Sequence, residues 1–507
     1  MEKINFFKYP KSIEKEISLL KFKPPSYWEK IGEKNVLDIF KYSAKTVPAY
    51  KKFLKKHKIN PKNIKIIVDF KKIPQISKKN YIRTSEFIDL FPDRDISHLT
   101  TFSATSGSTG EPTYFPRGEN GDSQYEYIAE IFLRNQFDIY NKKTLGIVGF
   151  GLGIWIGGLF TYKNFNKIAS KGCPLALIPV GPNKDLYLKS ILKFGHLYDQ
   201  IILMGYAPFI RDVIDDAPTY GVDFKKYNIK IFTAAEGYSE EFKDYIAEKT
   251  GVKNKFTDMV NLYGTVELGT MAHETSFSNL IRDIANKNIA VKKELFKDRL
   301  TLPTLAQYYP HLTYFEEING EVVGSGAFSM PLLRYSFPDV GGVIKFDEMI
   351  AKLRLVGVDV IKEAKKYGID KKILKLPFVY VYERADFTIV VRGVNIHPAE
   401  IKHSIENKDF QEYFTGKFTL IKKYNKNFDE YFEVNIEMKK NIKPSKGLNK
   451  KIKQAVVEYL NKTNSEFNDQ YRSAPNKITP KVIFWSYQHH RYFQSTAKHK
   501  WAVHDNK

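Results

Sequence analysis

Ser103-Ala104-Thr105-Ser106-Gly107-Ser108-Thr109-Gly110-Glu111-Pro112 packs serine and threonine hydroxyls around two glycines. Glycine lets a backbone approach an anion closely and adopt positive φ, so successive N–H groups can converge on phosphate oxygens. The hydroxyls add further donors. The run lacks the lysine of a Walker motif, so it is not a standard P-loop. Taken alone it also fits a flexible loop.

Downstream, short apolar runs recur at 145–150, 175–179, 201–204, 229–233 and 259–262, each followed by a longer amphipathic stretch. That alternation predicts an α/β fold with a sheet buried on both faces. Ligands in such folds sit at the carboxyl ends of the strands. Upstream, the first hundred residues read as helix and loop. A helical, lysine-rich segment at 347–375 precedes a strand at 377–382. Beyond 386 the character changes. Phe432, Val434, Ile436 and Met438 alternate with Glu433, Asn435 and Glu437, predicting a half-buried strand with a polar outer face. A helix through Leu448, Ile452, Val456 and Tyr459 follows, and 480–485 is expected to be the final strand.

The composition is that of a folded protein, and 507 residues exceed one ordinary core. The single cysteine, Cys173, rules out an intramolecular disulfide and a multi-cysteine zinc site, and it fits a reducing cytoplasm. No signal-like apolar core opens the chain, and the most apolar stretch, 145–160, carries six glycines. It falls short of the roughly 20 residues a membrane helix needs. A soluble, cytoplasmic protein without a membrane span is therefore expected. The net charge of +23 comes from scattered lysines with no aromatic-basic motif beside them, so no nucleic-acid partner is expected. An anionic small molecule would still gain from the field.

Three later segments give the loop its context. They are Asn261-Leu262-Tyr263-Gly264-Thr265-Val266-Glu267, then 331–339 ending in Asp339, then Arg384-Ala385-Asp386 running on through 392–401. In this order and spacing, the four segments resemble the signatures of the adenylate-forming (acyl-CoA synthetase) superfamily. The closest likeness is to its phenylacetate-CoA ligase branch. The resemblance covers about residues 101 to 405. It implies a large N-terminal adenylate-forming domain, 1–385, with mixed and parallel sheets flanked by helices. A mobile α+β C-terminal domain, 386–507, would follow it.

The family reaction joins a carboxylic acid to AMP with release of pyrophosphate, then passes the acyl group to an acceptor. The resemblance implies that Thr105, Ser106, Gly107, Ser108, Thr109 and Gly110 hold the ATP phosphates and that Glu267 binds Mg²⁺. It places Ala235, Glu236, Gly237, Tyr263 and Gly264 around adenine, and Asp339 and Arg384 on the ribose. Lys498, with Lys500 in reserve, Glu267 and Thr265 are implied as catalytic, and Asp386 as the hinge. Phe150, Gly151, Trp155, Gly205 and Tyr206 are candidates for an apolar acyl pocket favouring an aromatic or small apolar acid. Each residue also has an ordinary reading: Glu267 as a helix-start acid, Asp339 as a turn former, Arg384 as a surface ion-pair partner. His273 reads as a packed or exposed histidine.

ATP, Mg²⁺ and coenzyme A are the expected cofactors and substrates. The acceptor stays open between coenzyme A, a separate carrier-protein thiol and an amine. The sequence departs from the family pattern at Val266, at Glu383, and at Ala497, where glycine usually precedes the lysine. Those departures also admit a catalytically degenerate nucleotide-binding module. A dimer is compatible with the sequence.

Overall fold

Val, Ile and Leu dominate the runs read as strands, and their alternate side chains enter two different cores. In the computed structural model, Ile201 and Leu203 pack with Leu188, Ile191 and Val213 on one face of the sheet. Ile202 and Met204 pack with Phe132, Phe165 and Phe232 on the other. Burial on both faces is what a parallel strand requires. The structure describes residues 7–104, 113–154, 156–296, 302–384, 388–392, 394–424, 430–473, 475–494, 499 and 501–503.

A hairpin of β1 (Leu99–Ala104) and β2 (Tyr114–Gly118) stands apart from the main sheet. Next come β3 (Thr144–Val148), β4 (Leu175–Ile178), β5 (Gln200–Gly205), β6 (Ile229–Ala234) and β7 (Met259–Thr265), each pairing in parallel with its neighbours in the order 4-3-5-6-7. Beyond them the sheet turns antiparallel, through β8 (Gly269–His273), β9 (Thr304–Tyr308), β10 (Thr313–Ile318), β11 (Glu321–Ala327), β12 (Pro331–Ile344) and β13 (Phe378–Arg384). Among the described residues these make one mixed, eleven-stranded sheet, ordered 10-11-12-13-9-8-7-6-5-3-4. No described helix is long and apolar enough to cross a membrane.

A small hairpin, β14 (Ile389–Val391) and β15 (Val394–Ile396), opens the rest of the chain. A sheet of β16 (Phe414–Tyr424), β17 (Glu430–Met438), β18 (Lys481–Trp485) and β19 (Ala502–Val503) follows, ordered 18-17-16-19. The short β19, pairing in parallel with β16, corrects the expectation that the strand at 480–485 is the last. The core beneath this sheet runs from Ile389 to Trp501 and takes Ile452, Val456 and Leu460 from the helix Leu448–Thr463.

A second correction concerns β17. Its polar face was expected in solvent, yet Glu433, Asn435 and Glu437 are buried. Asn435 accepts from Trp485 Nε1 at 2.7 Å, and Glu437 accepts from Thr415 Oγ1 at 2.7 Å. Lys417 lies 3.7 Å from Glu437 and also pairs with Asp212 of the larger sheet region. Alternation identified the strand, but the polar side faces partners from distant parts of the chain.

Candidate active site

A cavity of about 1430 Å³ opens over the carboxyl ends of the parallel strands. Its walls include Phe150 and Gly151 after β3, Tyr206 after β5, Ala234 to Ser239 after β6, and Asn261 to Glu267 from β7 onward. The opposite wall comes from the C-terminal region, with Lys402, His403, His499 and Trp501.

Two local geometries shape the β6 and β7 ends. Ala235 has φ 81°, a left-handed conformation that costs a non-glycine residue about 1 kcal/mol or more. Such strain persists only where surroundings enforce it; Asn261 Nδ2 donating to Glu236 O at 3.0 Å is one such restraint. At Gly264 a Cβ would lie 2.6 Å from Gly269 O, so the β7–β8 turn closes only around glycine. Thr265 Oγ1 accepts from Leu268 N at 3.1 Å and fixes the turn that carries Glu267.

Glu267 is 9% exposed and sits among cations. Lys78 Nζ lies 3.0 Å from its Oε1, and Tyr335 Oη donates to the same oxygen at 3.3 Å. Lys78 belongs to a short helical turn, Lys78–Ile82, capped by Ser77, whose Oγ accepts from Asn80 N at 3.2 Å. Lys79 and Arg83 line the cavity beside it. Among the described residues no group of three or more metal-ligating side chains occurs. A single carboxylate beside the cavity nonetheless suits Mg²⁺, which keeps several waters and takes one or two carboxylates plus phosphate oxygens.

Asp339, 6% exposed, accepts from Tyr263 Oη at 2.7 Å. It pairs across β12 and β13 with Arg384, of which the backbone alone is described. Glu236 accepts from Trp501 Nε1 at 2.7 Å, and Lys402 Nζ donates to Gly237 O at 3.1 Å while lying 4.9 Å from the Trp501 ring centroid. Further polar contacts tie the two regions. Ser239 Oγ donates to Glu406 at 2.6 Å, and Arg211 donates to Phe414 O at 3.0 Å. Lys439 lies 3.1 Å from Asp215. Burial alone lowers the Lys417 pKa, but Asp212 and Glu437 override it and hold the ammonium above its usual range.

Of the expected site residues, Ala235, Glu236, Gly237, Tyr263, Gly264, Thr265, Glu267 and Asp339 thus share one cavity, together with Phe150, Gly151 and Tyr206. Tyr125, Ile156, Phe160 and Thr161 extend the apolar end. Gly205 lies behind that wall, where a Cβ would meet Phe209 and Ile210 at 3.1 Å. The loop 105–110, Trp155, Asp386, Lys498 and Lys500 lie outside the described residues. Ala104, the last described residue before the loop, lines the cavity. His273 is packed: its Nδ1 meets Glu274 O and its Nε2 meets Tyr309 Oη, both at 2.8 Å, and burial lowers its pKa to about 4.

Sequence reasoning missed Lys78, Lys402 and Trp501. Nothing local marks them; Lys78 sits in an ordinary Lys-Lys pair, and Trp501 follows the expected lysines by only a few residues.

No protein-family model and no curated protein matches the sequence. Among solved structures, 2-hydroxyisobutyryl-CoA ligase in the postadenylation state, in complex with R3-HIB-AMP, superposes with a TM-score of 0.66 at 13% identity. The match covers 100% of this chain and 95% of that one. The fold is that of an adenylate-forming CoA ligase. The same ligase in its thioesterification state, with 2-HIB-AMP and CoA, matches with a TM-score of 0.53 at 14% identity, covering 100% of this chain and 95% of that one. The phenylacetate branch, expected from the sequence resemblance, is not singled out by these likenesses.

Proposed function

We propose that the chain is an ATP-dependent acid–CoA ligase that forms an acyl-adenylate and then a thioester. The observation carrying this reading is one cavity that gathers Glu236, Tyr263, Thr265, Glu267 and Asp339 over the carboxyl ends of parallel strands, beside an apolar recess. A carboxylate is a poor acyl donor because oxide would have to leave. Attack of its oxygen on the α-phosphorus of ATP forms the acyl–phosphate bond and breaks the bond to pyrophosphate, giving AMP as the later leaving group. The protein contributes position and charge.

Asp339, oriented by Tyr263 Oη, accepts from the ribose hydroxyls, since an ionised carboxylate offers two acceptor oxygens. Glu236 and Gly237 flank adenine. Thr105, Ser106, Ser108 and Thr109 hold the departing phosphates, and Lys498 offsets charge at the α-phosphate. Glu267 would hold Mg²⁺, which screens phosphate charge when bound. Phe150, Tyr206 and Phe160 take an aromatic or small apolar acyl group. The domains divide at 385/386 and pivot at Asp386 to admit the thiol of coenzyme A. Trp501 on Glu236 and Lys402 on Gly237 O support an arrangement in which the C-terminal region closes over the cavity.

The test is pyrophosphate exchange into ATP across a panel of aromatic and short apolar acids, followed by CoA-dependent AMP release. Acid-dependent exchange is expected. Nucleotide binding without exchange would favour a degenerate module.

A further inference from the structure

Arg117 lies outside every motif in the sequence, and it does not line the cavity. It is 2% exposed, one of the largest fully buried side chains of the protein. Burying a guanidinium is costly unless its donors and charge are matched. The partners it does find are informative. One terminal nitrogen donates to Pro116 O at 3.1 Å on its own strand, β2. The other donates to Val266 O at 2.5 Å, the carbonyl between Thr265 and Glu267. Its Nε has no hydrogen-bond partner. The charge is balanced by Glu267 and Asp122, both within electrostatic reach. Burial lowers its pKa to about 10, so it remains a cation at neutral pH.

The setting is equally specific. The guanidinium lies 5.2 Å from the ring centroid of Phe328 and 5.9 Å from that of Phe160. Phe328 in turn fills the space beneath the β7–β8 turn, where a Cβ on Gly269 would lie 2.2 Å from its ring. The turn bearing Glu267 is therefore supported from behind by an aromatic ring and held at its central carbonyl by Arg117. Arg117 itself stands on β2, which begins just after the expected phosphate loop, and that hairpin's other strand ends at Ala104 in the cavity wall.

We infer that Arg117 is a positioning residue, a buried cationic strut that fixes the Glu267 turn relative to the β1–β2 hairpin bearing the phosphate loop. It sets the geometry in which the triphosphate is held, and so it serves adenylation and not thioester formation. The inference rests on reading the cavity as an acyl-adenylating site.

The test compares Arg117→Gln and Arg117→Lys with wild type in two half-reactions: acid-dependent pyrophosphate exchange, and thioester formation from supplied acyl-AMP and coenzyme A. Melting temperature is measured alongside. Arg117→Gln, which loses the cation and a buried carbonyl bond, is expected to lower exchange about tenfold or more while thioester formation stays within roughly twofold. Arg117→Lys keeps the charge and one donor, so it should recover most of that loss, with the remaining deficit again confined to exchange. Equal losses in both half-reactions, or no rescue by lysine at matched stability, would overturn the strut. If Arg117→Gln yields no folded protein, the lysine variant decides alone: a loss in exchange only supports the inference, and equal loss or none refutes it. Wild type without acid-dependent exchange would instead defeat the underlying functional reading.

Discussion

Replacing Tyr263 by phenylalanine separates the place expected of its ring from the role the structure gives its hydroxyl. The ring was expected beside adenine, where it would stack, while the structure has its hydroxyl donating to Asp339 Oδ2 at 2.7 Å. Tyr263→Phe keeps the ring and removes that donor from a carboxylate only 6% exposed. A hydrogen bond to a charged group is worth roughly 1.5–3 kcal/mol. Cavity water recovers part of this, leaving about 1–1.5 kcal/mol to reach nucleotide binding, a factor of roughly five to ten. KM for ATP in pyrophosphate exchange should therefore rise by about that factor with kcat nearly unchanged, because ribose contacts form in ground and transition states alike. Repeating the assay with 2′-deoxyATP sharpens the result. If the hydroxyl works through Asp339 and the ribose, the substitution and the missing 2′-hydroxyl should be less than additive. An unchanged KM in Tyr263→Phe beside a large increase in Tyr263→Ala would refute the reasoning and leave stacking as the whole contribution.

Lys78→Ala removes the cation paired with Glu267 at 3.0 Å, so the Mg²⁺ concentration for half-maximal exchange should fall about fivefold, the screened remainder of a close ion pair. An unchanged midpoint would mean that Lys78 and the metal do not share Glu267. Asp212→Asn weakens the pairing with Lys417 between the large sheet and the C-terminal region; exchange should slow about threefold to tenfold while thioester formation from supplied acyl-AMP holds or improves. A loss in both steps would show that the pair supports folding and not domain placement. Burial holds His273 and His311 neutral down to about pH 4 and His499 down to about pH 3, below the usual value near 6.5. Their folded pKa values are lowered, so their stabilisation is fully present above pH ~6.5 and is lost as pH falls toward 4, up to about 1.4 kcal/mol per unit for each histidine. Urea midpoints between pH 7.5 and 4.5 should decline less steeply in His273→Gln than in wild type.

The alternating apolar runs located β3 to β7 because a strand covered on both faces needs apolar residues at every position. Ile201 to Met204 satisfies that need with two different cores. The antiparallel half of the sheet was harder to read. β12 runs for 14 residues through Arg334, whose φ of 53° and ion pair with Glu316 at 3.0 Å place a buried charge in mid-strand. No hydropathy pattern registers such a residue as interior. β17 failed the same test from the other side, because Glu433, Asn435 and Glu437 look solvent-facing until Lys423, Trp485 and Lys417, respectively, are seen opposite them.

The site shows a similar limit, with a clearer physical origin. Glu267 and Asp339 stood out because their neighbours form compact motifs, each set by one turn or one strand. Their supports come from far away: Lys78 is contributed by a helical turn nearly two hundred residues before Glu267, and Trp501 reaches Glu236 from β19's entry. Those contacts are products of topology, since they exist only once the sheet, hairpin and C-terminal region are assembled. The contacts crossing to the C-terminal region are largely polar and dispersed, with Trp501, Lys402, Glu406, Lys417 and Lys439 each meeting a single partner or a pair. Such an interface can part without exposing a large apolar core, because water replaces each lost hydrogen bond. The motifs therefore locate the carboxylates of the cavity, while the cations and the indole that meet them there carry no local signature at all.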